Sequence, residues 1–330
     1  MRAIVQTVLG PVPVAELGRT LVHEHLYVAF PGAELERDGY SRRAFVADAV
    51  SRLKALKQLG VRTFVDPCPI ELGRDPELMA EISERAEMNV VCTTGFYFEE
   101  LGLPIYWRFR SLEEITAFYV EEIEHGIGAT GIKPGLIKAA SGQPAISKQE
   151  EKFLTAAALA AKATGLPILT HTEDGQCGPE QAQLFVRNGI EAHRCLIGHS
   201  CGNPGHAYHR RIVDAGTYIG FDRIGASVFV KDSVRADNIK KLIDAGFLDR
   251  VLMSQDRVCL MRGKPFHPYP AKIMPKIEAL MREGNWPAPQ TYLFTGFLPM
   301  LRERGVSDAQ IAHMLEENPR RFFAGAPFKT

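Results

Sequence analysis

The run LVHEHLYVAF, residues 21–30, sets His23 and His25 one residue apart. On a strand that spacing puts both imidazoles on one face, with Glu24 on the other; on a helix it would separate them by about 200°. A zinc-protease reading is excluded, because HExxH needs four-residue helical spacing for its two histidines to converge. Alone, the pair is equally compatible with two hydrogen-bonded core imidazoles. Four further residues sit in comparable places: Lys138 in GLIKAA, His171 in PILTH, His199 in CLIGH and Asp256 in VLMSQD. Each lies at or near the end of a short apolar run. Buried imidazoles ending three different strands all need polar partners, and a shared cation would satisfy them together.

Lys138 is the unusual member of this set. A buried ammonium must be paired, neutral or chemically altered. It could form an ion pair with Asp256 or Asp222, or its amine could carry a carboxylate from CO2 and bridge two metals. Asp256 supplies an anionic ligand and a possible proton acceptor. Two divalent ions about 3.5–4 Å apart would turn a bridging water into hydroxide near neutral pH, a chemistry suited to hydrolysis rather than redox.

These residues need a scaffold that brings strand ends together. Eight strand-like runs occur, at 20–25, 62–66, 89–94, 135–140, 167–171, 195–199, 217–222 and 251–256. Amphipathic segments lie between them, among them 44–60, where Phe45, Val46, Val50, Leu53, Leu56 and Leu59 recur at helical spacing. Several open with Ser or Asp and close with Gly, as capped helices do. Eight buried strands alternating with helices imply a parallel sheet, and the economical closure is a single (β/α)8 TIM barrel over residues 1–330. A doubly wound open sheet is the alternative, but no glycine-rich phosphate loop follows the first strand. In a barrel the chemistry sits at the carboxyl ends of the strands, where all these residues fall. The segment RGKPFHPYPAK, 262–272, reads as a long loop on that face, and the chain after it as closing helices.

Composition narrows the function. The 330 residues carry 39 basic and 39 acidic side chains, with no basic stretch interleaved with aromatics, so nucleic-acid binding has no electrostatic basis. Six scattered cysteines without a CxxC pair imply no disulfide framework and fit a reducing cytoplasm. No signal-like N-terminus or run of about 18 apolar residues points to export or membrane. Small molecules are the expected partners.

The ordered set of HxH, Lys in GLIK, His in THTE, His in IGHS and Asp in SQD resembles the phosphotriesterase family of the amidohydrolase superfamily, which are binuclear-metal TIM barrels. TLVHEHL, RSLEEITAFYVEEIEHGIGATGIKPGLIKAA, IGFDRIG and ENPRRFF also sit where that family has them. The resemblance implies that His23, His25 and Asp256 hold a buried metal, that His171 and His199 hold a more exposed one, and that a carboxylated Lys138 bridges both. The metals would be zinc, with cobalt, manganese or iron as alternatives, and the chain a homodimer. Tyr97 in TTGFYF and Arg223 in FDRIG resemble positions of the phosphotriesterase-like lactonases. The tyrosine there contacts substrate or bridging water, and the arginine belongs to the seventh loop. Arg257 departs from the aromatic usual after the last ligand and is expected at the pocket mouth. The expected activity is lactone opening, with acyl-homoserine lactones among the candidate substrates and side activity on organophosphate triesters. Alternatives are a phosphotriesterase or carboxylic esterase proper, a lactonase for anionic or phosphorylated sugar lactones, and, remotely, a metal-bound binding protein without catalysis.

Overall fold

The structure, a computed structural model, describes residues 3–263, 274–283 and 287–328. Its frame is eight strands in chain order: β1 (Arg19–Leu21), β2 (Val61–Val65), β3 (Asn89–Val91), β4 (Leu136–Ser141), β5 (Ile168–Thr172), β6 (Cys195–Ile197), β7 (Tyr218–Phe221) and β8 (Val251–Met253). Neighbours pair in parallel: β1–β2–β3 form one run, and β4 to β8 another. Thr93–Gly95 continues β3 past Cys92 and pairs with β4, joining the two runs. There Gly95 adopts φ 119°, and a Cβ on it would lie 2.0 Å from the Lys138 carbonyl oxygen, so only glycine allows this approach.

The barrel interior is filled by one side chain from each region of the wall: Val22, Val65, Val91, Leu136, Leu169, Leu196, Tyr218 and Leu252 form one buried cluster, and Phe322 packs with them. Strand alternation places the residue two positions further along on the same face. Lys138 therefore stands one layer above Leu136, and His171 one layer above Leu169. The larger apolar cluster fills the space between strands and helices.

Helices return the chain between strands. Those at Arg42–Gln58, Pro76–Ala86, Leu112–His125 and Lys148–Thr164 begin at Ser41, Asp75, Ser111 and Ser147, each side chain accepting a backbone N–H of the first turn. The helix His206–Asp214 between β6 and β7, absent from the expected helical segments, is only nine residues long and buries His209, Ile212 and Val213. The expected closing helices form, but π-helical turns at Leu293–Phe297 and His313–Glu317 precede the helical runs that start at Leu298 and Asn318. Pro299 and Pro319 sit at those joints, where the missing N–H breaks the α-helical ladder.

The first strand departs from the expected uninterrupted run over 20–25. It stops at Leu21, and a second strand, His25–Val28, pairs with Val258–Met261 instead of with β2. The chain changes partners because the barrel closes here. His23 N–H donates to Ser254 Oγ at 3.0 Å, Asp256 N–H to the His23 carbonyl at 3.0 Å, and His25 N–H to the Arg257 carbonyl at 2.8 Å. Most of the expected loop at 262–272 lies outside the described residues. No helix among the described residues is long and apolar enough to cross a membrane, and all six cysteines are free and buried.

Candidate active site

All six expected ligands meet at the carboxyl end of the barrel, on the wall of one cavity of about 180 Å3. His23 and His25 flank the strand break, with ring centroids 5.4 Å apart, and Glu24 points away from both. His199 stacks on His23 at 4.5 Å and lies edge-on to His171 at 4.6 Å. The Nε2 atoms of His23, His25 and His199 face the Asp256 carboxylate at 3.7, 3.2 and 3.5 Å. Lys138 Nζ lies 3.3 Å from His23 Nε2. Among the described residues Lys138 has no carboxylate within ion-pair distance, although the charges of Asp256 and Asp222 both favour its ammonium form.

Two ligands are held in strained backbone. His199 has φ 54° and Asp256 φ 52°, left-handed conformations that cost a branched or bulky residue free energy. The surroundings enforce both. The His199 amide donates to Asp222 Oδ1 at 2.7 Å. Buried Glu24 accepts from Ser254 Oγ, the Gln255 and Arg257 amides and Gln290 Nε2, at 2.8–3.2 Å, and so grips the chain on both sides of Asp256. Burial pushes the Glu24 carboxyl up to about 8.

Each imidazole is oriented by a carboxylate on its other nitrogen, which fixes the tautomer. Asp222 Oδ2 takes His23 Nδ1–H at 2.8 Å, and its Oδ1 takes His199 Nδ1–H at 3.1 Å. Asp66 takes His25 Nδ1–H at 3.0 Å. His171 is reversed: Glu173 takes its Nε2–H at 2.7 Å, leaving Nδ1 for the cavity, where the Tyr97 hydroxyl stands 3.4 Å away. Burial holds His23 and His171 down to about 4, and burial followed by the Arg223 charge holds His199 well below its usual range. Burial also pulls on His25, but its bonds to Asp256 and Asp66 outweigh that and raise it well above its usual range. Burial opposes ionisation of Asp256, yet His199, the His25 bond and Arg223 keep it well below the carboxylate range. Three imidazoles held neutral, a fourth that gives up its proton on metal binding, and an ionised carboxylate together make the donor set that a divalent metal requires, so these residues fit one.

Arg223 closes the ring of charge, its Nε donating to Asp256 Oδ2 at 3.0 Å rather than pairing with Asp222. Arg257 does not line the cavity. Its strongest attraction is to Glu24, behind the site, and burial lowers its guanidinium from the usual arginine range. The expectation of Arg257 at the pocket mouth is thereby corrected: the chain turns at Asp256, and Arg257 leaves on the opposite side. The outer wall is apolar, made by Phe30, Leu101, Phe229, Val258 and Met261.

The sequence matches the Phosphotriesterase family over residues 3–323. The chain belongs to that family. Its members are binuclear metal-dependent hydrolases with a TIM-barrel fold, and this chain is a hydrolase of that kind. It is 33% identical to an aryldialkylphosphatase of Saccharolobus solfataricus, over 94% of this chain and 96% of the relative. It is 30% identical to a phospho-furanose lactonase of Mycoplasmopsis synoviae, over 97% and 91%. A mutant form of a phosphotriesterase-like lactonase of Deinococcus radiodurans superposes with TM-score 0.89 at 36% identity, over 97% of this chain and 99% of that one.

The orienting carboxylates Asp66 and Glu173 escape a reading of the sequence for ligands, as does the role of Asp222. A signal exists for two of them: RTFVD and TYIGFD end in acids on two strands that contribute no ligand.

Proposed function

We propose that this protein is a lactonase that opens neutral lactone rings, with weaker activity on organophosphate triesters. The observation that carries the reading is the Tyr97 hydroxyl beside His171, facing a cavity with an apolar outer wall. In support, a lactonase is among the solved structures of similar fold. His23, His25, Lys138, His171, His199 and Asp256 would hold two divalent ions, zinc first among the candidates. Lys138 would be carboxylated; burial lowers its amine to about 8, which favours the neutral form that reacts with CO2. When bound, the ions supply Lewis acidity and a bridging hydroxide.

The chain's own groups do the rest. Tyr97 orients the ring at the mouth. Asp256 receives the proton released on attack and passes it toward the leaving alkoxide. Arg223, paired with Asp256, keeps that carboxylate ionised until then. The same charge arrangement suits a tetrahedral carbon or a phosphorus centre.

A second reading is an anionic lactone of the kind named for the phospho-furanose relative, and Arg223 is the observation that favours it. Against it, Arg223 is engaged by Asp256, and the Glu173 carboxylate lines the same cavity.

The deciding experiment is kcat/KM across neutral lactones, phosphorylated lactones, aryl esters and paraoxon-type triesters, on protein of assayed metal content. The expected result is a preference for neutral lactones over triesters of about 100-fold, equivalent to about 2.7 kcal/mol. A higher value for phosphorylated lactones or triesters overturns the reading. We further propose one barrel domain, a cytoplasmic setting and a homodimer, supported for the dimer by exposed Ile105, Tyr106 and Phe109. Light scattering of wild type and Phe109→Glu tests the dimer: the variant should be monomeric.

A further inference from the structure

Behind the loop that carries Tyr97 lies a carboxylate with no part in the metal cluster. Glu71 sits in the single 3-10 turn Ile70–Leu72 that follows β2. Its Oε1 accepts the Tyr97 backbone N–H at 2.6 Å. Its Oε2 is buried and, among the described residues, has no hydrogen-bond partner. The loop also closes over the Glu71 stem, where a Cβ on Gly102 would come within 3.1 Å of Cγ. A carboxylate with one oxygen buried and unanswered is costly to keep, and such costs are retained where position matters to function.

The surroundings compensate this charge only in part. Arg74 is the facing cation, but it is committed to Glu122 by two bonds of 2.7 and 2.8 Å and to the Thr93 carbonyl at 2.8 Å. The other titratable neighbours are the Cys68 thiol and the Tyr119 phenol, both pushed upward by burial. Among these neighbours, Glu71 is the group placed to change charge around neutral pH: burial pushes its carboxyl up to about 7.

We propose that Glu71 is a positioning residue whose carboxyl oxygen, by accepting the Tyr97 backbone N–H, anchors Tyr97 over the active site, so that loss of that acceptor loosens the substrate-binding wall. The inference rests on the reading of Tyr97 as the group that orients substrate.

The test compares wild type with Glu71→Gln, which keeps an oxygen for the Tyr97 N–H, and Glu71→Leu, which does not. With a neutral lactone, KM of Glu71→Leu should rise about fivefold over wild type while kcat stays within about twofold, and Glu71→Gln should recover most of that rise. Equal KM in all three proteins overturns the proposal. Hydrogen exchange of residues 95–103, corrected for intrinsic rate, reads the same tether without substrate. Protection should fall in Glu71→Leu and be kept in Glu71→Gln, and equal protection in all three also overturns it. If no lactone is turned over while exchange shows this difference, the lactonase reading fails and the anchor stands. Stability gives a further readout. A carboxyl raised from 4.5 to about 7 by folding costs stability as pH rises through that window. Glu71→Gln should therefore melt higher than wild type at pH 8 and close to it at pH 4.

Discussion

The two sides of the site are built differently. On the side of β1, β6 and β8, His23, His25, His199 and Asp256 are held by Asp66, Asp222 and Glu24, all fully buried, and the backbone is strained at two of the four. On the side of β3 and β5, His171 is held by Glu173, whose side chain is 27% exposed, and Tyr97 by its amide bond to Glu71 together with ring contacts to Phe98 and His171. The orienting carboxylates of one side are shut from water, whereas that of the other opens to it. A site that must grip an ion and admit a substrate has divided those tasks between opposite walls of one barrel.

Substitutions can break this contrast. Lys138→Ala removes the group between the two sides, and kcat/KM should fall by about 10^3-fold or more, on the scale of losing a major charge-stabilising group. Retention of wild-type turnover would refute the shared role of the six residues. Asp222→Asn comes next. A single asparagine oxygen cannot accept from both His23 and His199, so metal affinity, measured by chelator competition, should drop about 10- to 100-fold. Glu173→Gln keeps an acceptor for its one imidazole and lies on the open side, so its loss should be about tenfold or less. If Glu173→Gln proved the more damaging of the two, the division between a closed and an open side would be wrong. The smallest effect on activity is expected from Phe322→Ala, at the amino end of the barrel. It should cost about 3–5 kcal/mol in denaturant unfolding while leaving metal content unchanged.

Much of this was legible in the residues. Apolar runs ending in His, Lys or Asp announce both the strands and the face on which the site lies, because strand period and burial act together. The break after Leu21 was not legible, since it arises from a change of partner made by β8 and the residues after it, far away in sequence. The helix at His206–Asp214 is short and rich in His and Arg, so its two buried apolar residues, Ile212 and Val213, do not stand out as a run. Arg257 was misplaced because the turn at Asp256 reverses the side to which the next residue points, and a left-handed aspartate has no mark in the sequence. Glu71 gave no signal, because its importance lies in a backbone amide that it meets only after folding.

The seam of the barrel has a consequence for how the enzyme comes into being. His23 meets Ser254 across 231 positions of chain, and the same contact sets both histidines against Asp256. During synthesis the histidine pair emerges near the beginning, while the carboxylate that completes the centre emerges only after seven strands have passed. A chain interrupted just before β8 carries five of the six residues but has no eighth wall to close against. Competence to bind the full complement of ions thus marks completion of the barrel: closure of the ring and birth of the catalyst are one event.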